Sequence, residues 1–174
     1  MLKEIFKRIL GEKYRRISQE RLRFHEFQKK FKSYLKPGYI IYDIGKDPKW
    51  DYKKVYQNYK YFTVDNNPEV SPDILDDIEE THLSESCDAL ICWGVTEQCN
   101  NAYKLLEGIS KILKPNGLGL FGIISVGYPI YGKDFVRFTP QGAIKLLSDF
   151  DLLEKEIVYR KGVPSYVIAI CRKK

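Results

Sequence analysis

No stretch of this 174-residue chain is apolar for long enough to cross a bilayer. The opening stretch, MLKEIFKRILGEKYRR, lacks the apolar core and the small-residue cleavage site of a secretion signal. Both absences lead to the expectation of a cytoplasmic protein with no membrane span. The cysteines Cys87, Cys92, Cys99 and Cys171 include no C-x-x-C pair, which excludes the usual zinc frameworks, and no metal site is expected. Cys87, Cys92 and Cys171 lie in apolar runs and read as reduced packing residues. Histidine is scarce, with only His25 and His82, so the choice of general bases is narrow. Repeats, low-complexity tracts and long linkers are missing, and no appended nucleic-acid module is expected. The expectation is one domain over 1–174, with basic helices in 1–36 and a core in 37–174, and with nucleic acid an unlikely partner.

What is present suits a packed core: 44% of the residues are hydrophobic and 14% aromatic. The formal net charge of +6 is uneven. Residues 1–36 are rich in Lys and Arg, and residues 65–88 are acidic. Two readings of the basic segment stay open, a solvated helical face or a contact surface for an anionic partner.

Strand and helix patterns alternate along the chain. Leu2, Ile5, Phe6, Ile9 and Leu10 share one face of a short helix over 2–10. A longer helix over 18–35 has Ser18 as N-cap, an apolar side of Leu22, Phe24, Phe27, Phe31 and Leu35, and Pro37-Gly38 as its stop. YIIYDI reads as a buried strand, residues 51–58 as a weak helix, and YKYFTVD as a strand ending at Asp65 before the turn NNP. PDILDDI contains a short strand and CDALICWGV a buried one. Residues 100–114 have Leu105, Leu106, Ile109, Ile112 and Leu113 at helical spacing. KPNG ends that helix, and LGLFGIISV follows as a strand. Thr139-Pro140 opens a helix over Gln141–Phe150. LLEKEIVYRKG and PSYVIAICRK are the last two strands, joined by a Gly-Val-Pro turn too short for a parallel crossover, so they form an antiparallel hairpin. The fold class expected is α/β: a doubly wound, mostly parallel sheet with a C-terminal antiparallel hairpin and an N-terminal helical extension. Ligands on such sheets sit beyond the carboxyl ends of the strands, where Asp43, Asp65, Asp77 and Trp93 fall.

YDIG, FTVDNNP, DILDDI, CDALICWGVTEQ and LLEGISKILKPNGLGLFGI come in an order that resembles the class I S-adenosylmethionine (SAM) dependent methyltransferases, of the small type-11 kind. The resemblance covers roughly residues 35–172, and DFVRFTPQGAIKLL also resembles a segment of that branch. It implies a Rossmann-like core and SAM as cofactor. By the same resemblance Asp65 would take the ribose hydroxyls with Asn66 beside it. A carboxylate presents two acceptor oxygens to a diol, although Asp65 also fits a plain turn aspartate. Asp77 and Ile78 would meet the adenine, with Asp76 as rival and Asp73 as a weaker one. Cys92 and Trp93, with Gly94, would lie along the cofactor, unless Trp93 is simply a core aromatic.

Two departures stand out. After the first strand the family has several glycines, which let backbone approach the methionine part of the cofactor. Here only Gly45 remains, and Asp47 and Lys49 stand where later glycines would. Either Asp47 or Asp43 pairs with the methionine ammonium in a displaced loop, or the pocket is narrowed. In VTEQCNN, Gln98 replaces a histidine found in relatives, so no catalytic base is named. The reading that follows is a SAM-dependent methyltransferase acting on a small-molecule or glycan acceptor. The alternative is a catalytically inert methyltransferase-like domain that binds a partner. The acceptor would lie between the N-terminal helices, expected over one sheet edge, and the loop SVGYPIYGKDFVRFTP. Tyr131, Asp134 and Arg137 would contact it, unless Arg137 pairs with Asp134 and only fixes the loop.

Overall fold

The structure is a computed structural model that describes residues 18–47, 49, 52–129 and 132–174. The helix expected over 2–10 and the candidate Tyr131 lie outside the described residues. Helix α1 (Gln19–Tyr34) begins where the sequence places its cap, with Ser18 Oγ accepting the Arg21 N–H at 3.2 Å. Its buried side carries Phe24, Phe27 and Phe31, and Leu35 closes it before Pro37 forces the chain out of helix.

Strands β1 (Ile40–Ile44), β2 (Lys60–Asp65), β3 (Ile74–Leu75), β4 (Cys87–Trp93), β5 (Leu113–Ile124), β6 (Phe150–Arg160) and β7 (Val163–Lys173) form one sheet. The spatial order is β3-β2-β1-β4-β5-β7-β6. β1 to β5 pair in parallel, and β7 runs antiparallel to both β5 and β6. The expected doubly wound sheet with a closing hairpin is therefore the observed one. Strand order reverses at β1, which has β2 on one side and β4 on the other, and that reversal opens a crevice at the carboxyl ends.

Helices α2 (Ala102–Ile112) and α3 (Pro140–Leu146) cover one face, where Leu105, Ile109 and Ala143 pack with Ile44, Val64, Leu90 and Phe121. α1 covers the other face, where its three phenylalanines pack with Ile41, Ile91 and Leu120 together with Tyr52 and Tyr56. The α1 helix thus lies on a face of the sheet over β5, β7 and β6, rather than over an edge as expected.

Four local expectations are corrected. Residues 52–59 form successive turns rather than a helix, and they are held there because Tyr52 and Tyr56 are buried under α1. KPNG does not separate α2 from the strand: Leu113 already pairs with Cys87, and Lys114 to Gly117 make an irregularity in β5 in which Asn116 has φ 61°. α3 stops at Leu146, so Phe150 opens β6 instead of ending the helix. The hairpin turn is Lys161-Gly162, at φ 50° and 80°, and Val163 and Pro164 already belong to β7. Two left-handed residues match the right-handed twist of the flanking strands.

Candidate functional site

A cleft of about 720 Å³ lies beyond the carboxyl ends of β1, β2 and β4. The start of α1, Tyr128, Pro129 and residues 133–135 also line it. Eight of its lining side chains are acidic and three basic, the reverse of the balance of the whole chain.

Asp65 ends β2 in this cleft. Its Oδ2 accepts the Lys46 N–H at 2.8 Å and its Oδ1 accepts the Asn67 N–H at 2.8 Å. Each carboxylate oxygen keeps a further lone pair for a ligand hydroxyl. Asn66 and Asp77 stand together: the Asn66 amide donates to Asp77 Oδ2 at 3.1 Å, while Asp77 Oδ1 caps a short 3₁₀ turn by accepting the Glu79 N–H at 3.0 Å. Ile78 follows, buried yet lining the cleft. Of the rivals to Asp77, Asp76 also lines the cleft, but its carboxylate accepts from the Thr81 hydroxyl. Asp73 does not line it. Burial alone would raise the Asp73 carboxyl, but hydrogen bonds from Lys53 and Thr63 hold it at about 2, so it ties β3 to β2.

The glycine-poor loop is braced from both sides. Gly45 has φ 82° and donates its N–H to the Val64 carbonyl at 2.9 Å. A Cβ there would lie 2.5 Å from Val95 Cγ2. Asp47 lines the cleft, accepts the Lys49 N–H at 2.9 Å, and pairs at 3.5 Å with Arg21 of α1, which also donates to the Tyr52 hydroxyl. Asp43 is placed differently. Its side chain turns to the α1 side of the sheet, is buried, accepts from the Tyr61 hydroxyl, and is not among the cleft-lining residues. A direct contact between Asp43 and a ligand in this cleft does not follow, because β1 alternation points Ile44 toward the opposite face and Asp43 toward the tyrosines. Burial pushes its carboxyl up to about 7.

After β4, Cys92 is buried and away from the cleft, and burial pushes its thiol up. Trp93 packs as a core aromatic. Its ring lies between Phe24, centroids 3.9 Å apart, and Tyr166, centroids 4.5 Å apart, and the residue also lines the cleft. Arg137 does not line the cleft. Its guanidinium pairs with Asp134 and donates to the carbonyls of Ser125 and Tyr128 at 2.8 Å each, so of its two expected roles the geometry shows the one that fixes the loop. Asp134 lines the cleft but is engaged in that pair. Neither His25 nor His82 lines the cleft.

Glu97 and Glu20 stand out among the cleft residues outside the sequence candidates. Glu97 and Glu20 are only 4% and 3% exposed, and Glu97 Oε2 and Glu20 Oε1 are buried without a hydrogen-bond partner. Glu97 lies in the segment VTEQCNN, next to Gln98. Glu20 is an ordinary acidic residue in the first turn of a helix. Burial raises the Glu97 carboxyl above its usual range, against a hydrogen bond from Gln98.

No family model matches the chain, and no curated relative matches it in sequence. Solved structures do match in fold. The 1,6-didemethyltoxoflavin-N1-methyltransferase of Burkholderia thailandensis, with 1,6-didemethyltoxoflavin and S-adenosylhomocysteine bound, has a TM-score of 0.67 at 15% identity, over 87% of this chain and 78% of its own. The N-methyltransferase NodS of Bradyrhizobium japonicum WM9, in complex with S-adenosylhomocysteine, has a TM-score of 0.70 at 14% identity, over 98% of this chain and 97% of its own. A SAM-dependent methyltransferase from Aquifex aeolicus has a TM-score of 0.67 at 13% identity, over 90% of this chain and 94% of its own. The chain has the class I methyltransferase fold.

Proposed function

We propose that the protein is a SAM-dependent methyltransferase acting on a small-molecule or glycan acceptor. The observation that carries this reading is Asp65, which presents a carboxylate to the cleft at the strand-order reversal of a sheet with this fold. The cleft residues fit the cofactor's chemistry. Asp65 and Asn66 would hold the ribose, Asp77 and Ile78 the adenine, and Gly45, Asp47 and Trp93 the methionine portion. An acidic lining suits a ligand that carries a sulfonium and an ammonium. SAM supplies an electrophilic methyl group for in-line transfer, and the protein contributes positioning and exclusion of water. Neighbours of this fold that were crystallised with S-adenosylhomocysteine support the same cofactor.

Calorimetric titration with SAM, S-adenosylhomocysteine and NAD tests the reading. The first two are expected to bind and NAD is not. Asp65→Ala is expected to weaken S-adenosylhomocysteine about tenfold or more, the value of hydrogen bonds to a charged group, with an unchanged circular dichroism spectrum. Unaltered affinity would remove Asp65 from the ribose site. A second reading, a methyltransferase-like domain that binds a partner without catalysis, draws on the Arg21–Asp47 pair that spans the cofactor loop. Absence of any binding of SAM or S-adenosylhomocysteine would favour it.

A further inference from the structure

The inner wall of the cleft holds a group of side chains that the cofactor assignment does not use. Glu97, in the turn after β4, and Glu20, in the first turn of α1, are both almost fully buried, and both line the cleft. One oxygen of each is sealed from solvent without a partner among the described residues. Gln98 donates to the other Glu97 oxygen at a long 3.3 Å. A buried carboxylate lacking hydrogen-bond partners is costly unless a ligand supplies them. Two such groups in one cleft, reached from elements far apart in sequence, call for one donor-rich, positively charged ligand group.

The surroundings sharpen the class of that group. Tyr166 of β7 feels both carboxylates: burial raises its hydroxyl most, Tyr128, Glu97 and Glu20 add to that, and Arg21, which also lines the cleft, acts against them. Its hydroxyl would be 3.5 Å, and Glu97 Oε1 3.4 Å, from a Cβ at Gly94, so these oxygens flank a residue whose missing side chain leaves room between them. Trp93 and Tyr128 pack against Tyr166, and Phe24 against Trp93, so aromatic rings back the oxygens at this end of the cleft. An ammonium has three donors and no acceptor, and carries the complementary charge. A hydroxyl has one donor and would leave acceptors unpaired, and an acceptor carboxylate or phosphate would be repelled.

We propose that Glu20 and Glu97 form an ammonium-binding subsite, and that the methyl acceptor is an amine whose nitrogen they hold. This deepens the methyltransferase reading and rests on it. In the reaction the acceptor enters as R–NH₃⁺ and gives one proton to the Glu97 carboxylate, leaving a lone pair on nitrogen. That pair forms the new N–C bond, the C–S pair leaves with sulfur as a neutral thioether, and the product is R–NH₂⁺–CH₃ beside a protonated Glu97. The Glu20 carboxylate holds the product cation until it leaves, and solvent then takes the proton from Glu97.

The test is ligand-observed NMR with benzylamine and benzyl alcohol, probes of one shape that differ in charge and donors. Each is measured with and without saturating S-adenosylhomocysteine, on the wild-type chain, E20Q, E97Q and the double variant. Gln keeps the shape of Glu, and a melting curve for each variant checks folding. Benzylamine is expected to bind the wild type about tenfold more tightly than benzyl alcohol, and each Gln variant to lose about tenfold for benzylamine, the scale of a charged hydrogen bond. Affinity for S-adenosylhomocysteine is expected to stay unchanged. Equal binding of the two probes, undiminished benzylamine binding in the double variant, or no benzylamine binding to a chain that takes S-adenosylhomocysteine would each overturn the proposal. So would a parallel loss of S-adenosylhomocysteine in the variants, since the carboxylates would then serve the cofactor's own ammonium. Benzylamine binding without any S-adenosylhomocysteine binding supports the subsite and sinks the methyltransferase reading instead.

Discussion

Asp43 shows how one residue links the site to stability. It sits at the end of β1 under α1, and burial pushes its carboxyl up to about 7 against the hydrogen bond from Tyr61. In the unfolded chain the same group titrates near ~3.9. Between those values the folded state keeps a proton that the unfolded state has lost. The stabilising contribution is therefore complete below about pH 4 and is lost as pH rises through about 7. Its slope is at most about 1.4 kcal/mol per pH unit. Asp43→Asn keeps an acceptor for Tyr61 and removes the titration. Urea unfolding of both chains is expected to show the variant gaining on the wild type from pH 4 to pH 7 and a constant difference above. Parallel curves would show that Asp43 does not titrate in this window. Gly45 is the steric counterpart. A methyl group there would meet Val95 at φ 82°. Gly45→Ala is expected to cost about 1–2 kcal/mol from the left-handed backbone alone, with the displaced Val95 adding to it, as read by denaturant midpoint.

At the scale of elements, the hairpin offers a direct check. Lys161 takes φ 50° in the β6–β7 turn, next to Gly162. Asn tolerates that conformation better than Lys, so Lys161→Asn is expected to raise the melting temperature, by no more than the ~1–2 kcal/mol that a left-handed residue costs. A lower melting temperature would mean that the Lys161 side chain contributes something the turn geometry does not show. Most elements were legible because their signals are local: Ser18 and Thr139 as caps, helical spacing over Leu105 to Ile112, and a connection too short for a crossover before β7. What was not legible depended on distant partners. Residues 52–59 had some helical pattern, yet burial of Tyr52 and Tyr56 against α1 holds them in turns. The site divides the same way. Asp65, Asn66, Asp77, Ile78 and Trp93 follow strand ends and were readable by position, and all five line the cleft. Glu20 and Glu97 come from the first described helix and the turn after β4, and only the closure of α1 over the sheet brings both to the same cleft. Arg137 was readable as a pair with Asp134 but not as a donor to three carbonyls of the loop.

At the scale of the whole molecule, the sheet divides into a half of long strands and a half of short ones. β5, β7 and β6 are strands of 12, 11 and 11 residues, with antiparallel pairing along most of their length. On the other side, β3 has 2 residues, and β1 and β2 lead into turns and short 3₁₀ segments. Backbone held by few ladder bonds opens at low free energy, and a ligand bound there has the most opening to suppress. The charge follows the same division, with the acidic lining gathered at the carboxyl ends of β1, β2 and β4 in a chain of net charge +6. A cationic ligand is thus drawn to one end of the molecule, and its effect should remain there. Hydrogen exchange with and without S-adenosylhomocysteine is expected to show slowed exchange in residues 45–47, 49, 65–67, 76–79 and 93–98. The β6–β7 hairpin is expected to be unchanged. Added benzylamine is expected to extend protection to residues 18–22 at the start of α1, if Glu20, which lines the cleft there, holds the amine as proposed. Uniform slowing across β6 and β7 would mean that binding tightens the whole sheet, and the division into two halves would fail. Protection of 18–22 by S-adenosylhomocysteine alone, with nothing added by benzylamine, would place the start of α1 in the cofactor site and leave the amine without its second carboxylate.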